Sequence, residues 1–228
     1  MTQTFLVTGN AGQGKTTIAT NIATALAQYG YDTLLLDGDI RTPKIGYQFG
    51  QHLPKKTVQD VLTGKIKLKE AIYQHPTGLK ILFSSPANPI TEHPIKILEE
   101  LKKTAQVLII DTPTNDARWY KQQIKTILVT HPDFPSVLEI IKLTKYLPKT
   151  EGIIINNLKG ENCELSPGNI SVLTNKKILG IIEEEKQIRA THKTGDPIVE
   201  SHTDLKITKT IRAIAANLMN QQYITPLK

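Results

Sequence analysis

The stretch Gly9-Asn10-Ala11-Gly12-Gln13-Gly14-Lys15-Thr16 is the most informative part of this sequence. An apolar run over residues 4–8 precedes it, and residues 15–29 follow it with apolar positions at helical spacing. The spacing G-x-x-x-x-G-K-[ST] between a strand and a helix is typical of a loop that binds phosphate groups. Gly12 and Gly14 permit the tight turn that brings backbone amides together on phosphate oxygens.

The loop therefore predicts a nucleotide site with its phosphates at a helix N-terminus. The predicted nucleotide-binding residues in this segment are Ala11, Gly12, Gln13, Gly14, Lys15, Thr16 and Thr17. Lys15 is expected to neutralise the β- and γ-phosphates, which also makes it a catalytic candidate. The Thr16 hydroxyl is expected to coordinate Mg²⁺, and Thr17 to reach the α-phosphate.

Two later apolar runs end in carboxylates. Residues 33–36 lead into Asp37 and Asp39, and residues 107–110 lead into Asp111. Parallel strands end at a common edge, so these side chains are expected near the phosphate loop. We predict that Asp111 holds Mg²⁺ through water, that Asp37 supports the metal shell, and that Asp39 also contacts the metal and positions the attacking water. Each aspartate taken alone is more typical of a turn or a helix cap, and the phosphate loop is what favours the functional interpretation.

The remaining chain alternates short apolar runs with helical patterns. The runs expected to be strands are residues 4–8, 33–37, 79–83, 107–111, 126–130, 152–156 and 178–182. The main expected helices are residues 15–29, 95–103, 135–147, 185–192 and 203–222. This alternation predicts one α/β domain over residues 1–228, with three layers and a mostly parallel sheet of seven to eight strands covered on both faces.

Residues 46–76 fit this alternation less well. Thr57 is a candidate cap for a short helix over residues 58–62, and residues 68–73 predict another. We expect this segment to form an insertion over one edge of the sheet.

Composition narrows the functional classes. The chain of 228 residues is 39% hydrophobic, and no apolar run reaches the roughly 18 residues needed to cross a bilayer. The sequence begins directly with the first strand pattern, which favours a cytoplasmic protein. Cys163 is the single cysteine, so an internal disulfide or a cysteine cluster is excluded. The net charge of +7 fits either a solvated basic surface or a site for a polyanion such as DNA.

These motifs resemble the MinD/ParA family of P-loop ATPases, and archaeal MinD-like proteins in particular. Residues 35–43 look like the family's D-x-D switch I, and residues 107–113 look like its D-x-P switch II. Residues 152–157 and 178–184 resemble the family's two segments near the base. The resemblance implies the P-loop NTPase fold and binding of ATP with Mg²⁺. It also implies that Asn156 contacts adenine and that Glu183 lies near the base.

The phosphate loop departs from the family at one important position. The family's loop reads K-G-G-x-G-K-T, and its first lysine reaches the partner's phosphates in an ATP-sandwiched dimer. Asn10 stands at that position here, followed by Ala11. Loss of a cation from the transition state slows phosphoryl transfer severely, by a factor on the order of 10³ or more. Arg41 could supply a substitute charge, or it could pair with an acid on the surface.

Three functions remain open from the sequence. The first is a slow ATPase switch that positions an unknown protein partner and forms an ATP-dependent homodimer. The second is an ATP-binding scaffold that does not hydrolyse ATP, which Asn10 favours. The third is a ParA-like partition ATPase that binds DNA without sequence specificity. Bacterial MinD proteins end in a basic amphipathic helix, whereas Pro226 would interrupt a helix over residues 223–228, so we predict no intrinsic membrane anchor.

Overall fold

The computed structural model describes residues 2–87, 90–147 and 149–222 of the chain. Their strands form one eight-stranded sheet in the order β3-β4-β2-β5-β1-β6-β7-β8. The strands are β1 Gln3–Gly9, β2 Thr33–Asp37, β3 Tyr73–Gln74, β4 Lys80–Leu82, β5 Val107–Asp111, β6 Lys125–Thr130, β7 Thr150–Leu158 and β8 Ile178–Glu183. Every neighbouring pair is parallel except the β3–β4 hairpin at one edge.

Helices connect these strands. Those in the described part of the chain are α1 Lys15–Gln28, α2 Ile45–Gln48, α3 Val58–Leu62, α4 Leu68–Ala71, α5 Leu98–Leu101, α6 Ala117–Tyr120, α7 Phe134–Thr144, α8 Pro167–Thr174, α9 Gln187–Thr194, α10 Ile198–Ser201 and α11 Lys206–Leu218. A 3₁₀ turn over Pro94–Ile97 precedes α5.

The sheet is buried on both faces. Phe5 and Val7 of β1 pack in a cluster with residues of α1 and α11. Leu6, which lies between them, points to a second cluster with residues of α7 and α8. Successive side chains of a strand point to opposite faces, so apolar residues at consecutive positions place helices on both sides. The predicted three-layer α/β fold with a mostly parallel sheet is confirmed.

The carboxyl ends of the central strands meet at one edge of the sheet. Asp37 of β2 lies opposite Asp111 of β5, and Asp111 lies opposite Val7 of β1. Gly9, the last residue of β1, lies opposite Val129 of β6. The phosphate loop therefore leaves β1 between two flanking strands, at the edge where open α/β sheets bind their ligands.

Local signals predicted some connections better than others. The Thr57 cap and the helix at residues 58–62 are confirmed, and Thr57 forms a capping box with Asp60. The expected helix over residues 95–103 is wrong in part, because the 3₁₀ turn takes its first residues and α5 ends at Leu101. The His93 ring accepts a hydrogen bond from the Ile95 amide and starts this tighter turn.

The helix over Pro167–Thr174 was not predicted from the sequence, although its start has a clear local cause. The side chain of Ser166 accepts a hydrogen bond from the Asn169 amide and caps the helix. A Ser-Pro pair ahead of an apolar stretch is therefore the signal that could have located it.

Candidate nucleotide-binding site

Glycines shape the backbone of the phosphate loop. Gly12 has φ of +76° and Gly14 has φ of +86°, conformations that side-chain-bearing residues adopt only with strain. A Cβ atom on Gly14 would also lie 2.4 Å from Asn156 Nδ2. Helix α1 begins at the next residue, Lys15, so its first amides face the loop. The loop thus has the backbone that phosphate binding requires.

The Gln13 side chain faces the protein interior. Its Oε1 accepts a hydrogen bond from the His131 amide at the end of β6. Its Nε2 donates a hydrogen bond of 3.1 Å to Ser136 Oγ in the first turn of α7. With its side chain used in this way, Gln13 offers a bound nucleotide its backbone amide, and it fixes the loop to the neighbouring strand and helix.

Lys15 lies over the loop. Its ammonium group donates to the Asn10 carbonyl at 2.8 Å and to Thr114 Oγ1 at 3.1 Å. Thr114 belongs to the segment after β5, which resembles switch II, and its hydroxyl also donates to the Gly9 carbonyl at 3.2 Å. Burial lowers the pKa of Lys15, while the carboxylate of Asp111 opposes that shift. The lysine therefore joins the phosphate loop to the switch II segment.

Two of the four residues predicted around the metal, Thr16 and Asp111, are in direct contact. Thr16 Oγ1 donates a hydrogen bond of 2.6 Å to Asp111 Oδ2. Burial raises the pKa of Asp111 to about 6, although the hydrogen bond from Thr16 and the charge of Lys15 act to lower it. The second carboxylate oxygen, Oδ1, is buried and has no hydrogen-bond partner among the residues that the structure describes. A buried carboxylate oxygen beside a hydroxyl suits a hard cation.

Asp37 is fully buried beside Asp111. Its Oδ2 accepts a hydrogen bond of 3.1 Å from the Ile45 amide at the start of α2, while its Oδ1 finds no partner in the described part of the chain. Burial and the neighbouring Asp111 raise the pKa of Asp37 well above its usual range. Asp37 therefore anchors α2 next to the predicted metal position, and its support of the metal shell stays a prediction.

Asp39 is bonded to its own turn. Its two oxygens accept hydrogen bonds from the Thr42 amide at 3.0 Å and the Thr42 hydroxyl at 2.7 Å. The carboxylate remains close enough to raise the pKa values of Lys15 and Asp111 by its charge, although burial is the larger influence on both. In this arrangement Asp39 stabilises the switch I turn, and its predicted catalytic and metal-binding roles stay predictions.

A cavity of about 490 Å³ lies beside the loop and is large enough for a base and ribose. Its lining includes loop residues, both residues predicted to lie near the base, and a charged rim; the members are Gly12, Gly14, Thr17, His131, Asn156, Asn157, Glu183, Glu184, Glu185, Lys186, Ile188 and Arg189. Asn156 Nδ2 donates a hydrogen bond of 2.9 Å to the Gln13 carbonyl. The Glu183 carboxylate pairs with Lys206. His131, which follows β6, also borders this cavity.

The residues present fit a Mg²⁺ ion bound together with phosphates. No group of three or more His, Cys, Asp or Glu side chains poised to hold a metal occurs within the described ranges. Mg²⁺ in nucleotide sites takes one or two protein oxygens and completes its shell with water and phosphate oxygens. The Thr16 hydroxyl and Asp111 Oδ1 are the two protein oxygens that would coordinate the ion.

The switch II side of the site holds a second set of polar residues. His93 Nε2 lies 3.1 Å from Asp116 Oδ2, and Arg118 pairs with the same carboxylate at 2.8 Å. The His93 ring packs on Trp119 with 5.0 Å between centroids, and Trp119 is fully buried. The charge of Arg41 contributes to a lowered pKa of His93, behind burial and Arg118, so Arg41 lies towards this cluster.

Comparison with known families agrees with this geometry. The family model for the CobQ/CobB/MinD/ParA nucleotide-binding domain matches residues 4–198. The chain belongs to this family. The predicted membership of the MinD/ParA P-loop proteins is therefore confirmed, and so is the prediction of ATP with Mg²⁺ as the ligands of its nucleotide site.

Individual relatives and solved structures match nearly the whole chain. An uncharacterised ATP-binding protein of Methanocaldococcus jannaschii is 32% identical over 98% of this chain and 89% of its own length. The MinD protein of Pyrococcus horikoshii complexed with Mg-ADP is 26% identical, with a TM-score of 0.85 and 96% of each chain covered. MinD in the MinC:MinD complex of Aquifex aeolicus is 26% identical, with a TM-score of 0.83, covering 99% of this chain and 98% of that one.

The structure bears on membrane association only in part. Among the residues it describes, none of the helices has both the length and the apolar character needed to cross a bilayer. Residues 223–228, on which the prediction of no membrane anchor rests, lie outside the described residues.

Proposed function

We propose that this MinD/ParA-family protein is an ATP-dependent switch that hydrolyses ATP slowly and positions a protein partner inside the cell. The observation that carries the proposal is the link from Lys15 to Thr114 at 3.1 Å. That link joins the residue expected to bind the γ-phosphate to the switch II segment. A γ-phosphate that attracts Lys15 would weaken its bond to Thr114, so the nucleotide state would change switch II.

The proposed chemistry divides among a few residues. Lys15 and the loop amides hold the triphosphate, and Thr16 with Asp111 holds Mg²⁺, which neutralises phosphate charge when bound. Asp39 positions the attacking water once its bonds to Thr42 are exchanged for bonds to that water. The glycine-shaped loop orients the phosphates for in-line attack.

A protein partner and a homodimer complete the proposal. The MinC:MinD complex of Aquifex aeolicus is a complex of a related chain with another protein. We extend that mode of action to this protein: ATP favours a dimer whose surface binds the partner, and hydrolysis releases it.

A second function follows from Asn10. Its side chain is neutral, and its Oδ1 accepts a 2.9 Å hydrogen bond from the next amide, Ala11 N. That amide is one of the groups expected to bind phosphate. An ATP-binding scaffold that never hydrolyses its nucleotide would have this weaker phosphate environment. A ParA-like DNA-binding role rests on the net charge of +7 alone.

Single-turnover hydrolysis of ATP separates these functions. Purified wild-type protein is mixed with Mg-ATP, and phosphate release is followed together with oligomeric state by light scattering. Lys15→Ala should abolish release, whereas Lys67→Ala, which removes an exposed lysine at the start of α4, should not. An ATP-dependent dimer that dissociates as phosphate appears supports the switch.

Two results would count against the switch. Tight ATP binding without phosphate release over hours, in the presence and absence of DNA, would establish the scaffold instead. Phosphate release stimulated by DNA, with DNA binding that weakens steeply as salt rises, would establish the partition function.

A further inference from the structure

Lys44 lies next to the predicted metal position. It is the residue before α2, whose first residue, Ile45, donates its amide proton to Asp37 Oδ2 at 3.1 Å. Asp37 is opposite Asp111 in the pairing of β2 with β5, and Asp111 accepts from Thr16. The buried Asp37 carboxylate therefore fixes the backbone beside Lys44 at the same sheet edge as the phosphate loop.

The Lys44 ammonium group is available to a ligand. Its side chain is exposed, and no hydrogen bond or ion pair is found for it within residues 2–87, 90–147 and 149–222. Burial lowers the pKa of Lys15, and the positive charge of Lys44 lowers it further. Burial raises the pKa of Asp111, and the charge of Lys44 opposes that shift. The Lys44 charge thus lies within electrostatic range of both residues expected to flank the phosphates.

Arg41, the other cation of this segment, is placed differently. Its charge contributes to the lowered pKa of His93, which burial dominates, and it lines a cavity with Asp39, Thr114, Asp116 and Arg118. Of the two switch I cations, Lys44 is the one whose backbone is fixed by the buried Asp37 carboxylate, at the sheet edge that carries the phosphate loop.

We propose that Lys44 Nζ contacts the γ-phosphate of bound ATP and serves, from within the same chain, as the second cation of the phosphate site. This inference rests on the proposed function in that it takes ATP as the ligand. A single Mg²⁺ ion and Lys15 leave part of the negative charge of a triphosphate uncompensated, and Asn10 adds none. A lysine on the switch I segment also makes the response specific, because the contact exists only while the γ-phosphate is present.

The test compares affinities for ATP and ADP in the full-length protein with Mg²⁺. Dissociation constants are measured calorimetrically for wild type, Lys44→Ala, Lys44→Arg and Lys67→Ala. Lys67 is the matched control, since it is an exposed lysine immediately before another four-residue helix, α4. Circular dichroism and thermal unfolding check that each variant is folded.

Lys44→Ala should reduce the preference for ATP over ADP about tenfold, the size of one charge-assisted hydrogen bond. Lys44→Arg and Lys67→Ala should keep the wild-type preference. Single-turnover hydrolysis by Lys44→Ala should fall about 100-fold, as when one preorganised donor to a transition state is removed. An unchanged ATP-over-ADP preference in Lys44→Ala would overturn the proposal, and so would an equal loss in Lys44→Arg.

The same measurements distinguish failure of the proposed switch function from failure of the Lys44 proposal. If wild type binds ATP but releases no phosphate, the ATPase switch fails, and the affinity ratio still decides the role of Lys44. If phosphate release is normal in Lys44→Ala with an unchanged ratio, the switch stands and Lys44 has no part in it.

Discussion

The Thr16 hydroxyl donates a 2.6 Å hydrogen bond to Asp111 Oδ2, so a side chain from the first turn of α1 and one from the end of β5 meet at the predicted metal position. The contact satisfies one carboxylate oxygen and leaves Oδ1 buried with no partner within residues 2–87, 90–147 and 149–222. A buried charge with an unsatisfied oxygen is costly unless a cation or donor completes its shell. The site thus stores a stability cost that Mg²⁺ would relieve.

Asp111→Asn should make the protein more stable without nucleotide while impairing its function. The amide oxygen can still accept from Thr16, and the substitution removes a carboxylate whose pKa is raised to about 6, chiefly by burial. We expect a gain of roughly 1–2 kcal/mol in the free energy of unfolding at pH 7.5. For a chain of this size that is about 2–8 °C in Tm.

The functional half of this prediction is loss of the Mg²⁺ dependence of ATP binding. Thermal unfolding and calorimetric titration with and without Mg²⁺ measure both effects, and Asp204→Asn on the exposed surface is the control. A less stable Asp111→Asn variant, or one that keeps its Mg²⁺ dependence, would contradict this account of the site.

Asn156→Ala should lower the preference for adenine over guanine nucleotides. Asn156 Nδ2 is committed to the Gln13 carbonyl, which orients Oδ1 as the acceptor available to a base. An acceptor favours the amino group of adenine and disfavours the carbonyl of guanine. We expect the ATP-over-GTP affinity ratio to fall roughly five- to tenfold, corresponding to about 1 kcal/mol for one hydrogen bond.

Competition binding of ATP and GTP to the variant measures this ratio. Asn169→Ala, which removes an exposed asparagine on α8, should leave it unchanged. An Asn156→Ala variant with the wild-type ratio would place base recognition elsewhere in the cavity.

Gln13→Ala should destabilise the protein although Gln13 lies in the phosphate loop. The side chain is 7% exposed and bonds the His131 amide and Ser136 Oγ. Removing it leaves a buried amide and hydroxyl without these partners, which costs about 1–3 kcal/mol in the free energy of unfolding. Urea denaturation measures the loss, with Gln122→Ala as the control because Gln122 is exposed. Equal stability of the two variants would show that the hydrogen bonds of the Gln13 side chain do not stabilise the fold.

Local chemistry explains which parts of the fold could be predicted. The strand at residues 107–111 has the predicted bounds because five consecutive apolar and acidic positions fit a strand buried on both faces. The helix at residues 58–62 also has its predicted bounds, because Thr57 and Asp60, three residues apart, form a capping box at its start. These signals lie within a few residues of the element they define.

The candidate site was predictable in its residue types and less so in its contacts. The pairing of Thr16 with Asp111 follows from strand order once parallel strands are assumed. The side chain of Gln13, by contrast, forms hydrogen bonds with His131 and Ser136, which are 118 and 123 positions further along the chain. No local sequence pattern indicates that this side chain turns inward. The environment of Lys44 likewise depends on the burial of Asp37, which only the tertiary structure defines.

The last prediction concerns acid stability and His93. Burial and then the nearby Arg118 lower the pKa of His93, Arg41 adds to this, and Asp116 opposes it. Below about pH 6.5 the unfolded chain therefore binds more protons at this histidine than the folded chain does, so His93 makes the free energy of unfolding fall as pH falls. The buried Asp111, whose pKa is raised, contributes the opposite trend, so variants must be compared rather than a single pH profile.

His93→Gln should flatten that acid-side decline while lowering stability at pH 7.5 by about 1–2 kcal/mol, because the bond to Asp116 and the packing on Trp119 are lost. Urea denaturation at pH 7.5 and pH 5.5 gives the difference for each variant. His52→Gln, at an exposed histidine, should keep the wild-type difference. If His93→Gln keeps the full wild-type difference, His93 is not the group responsible, and the partly buried histidines His75 and His131, whose pKa values burial also lowers, would account for the acid-side decline.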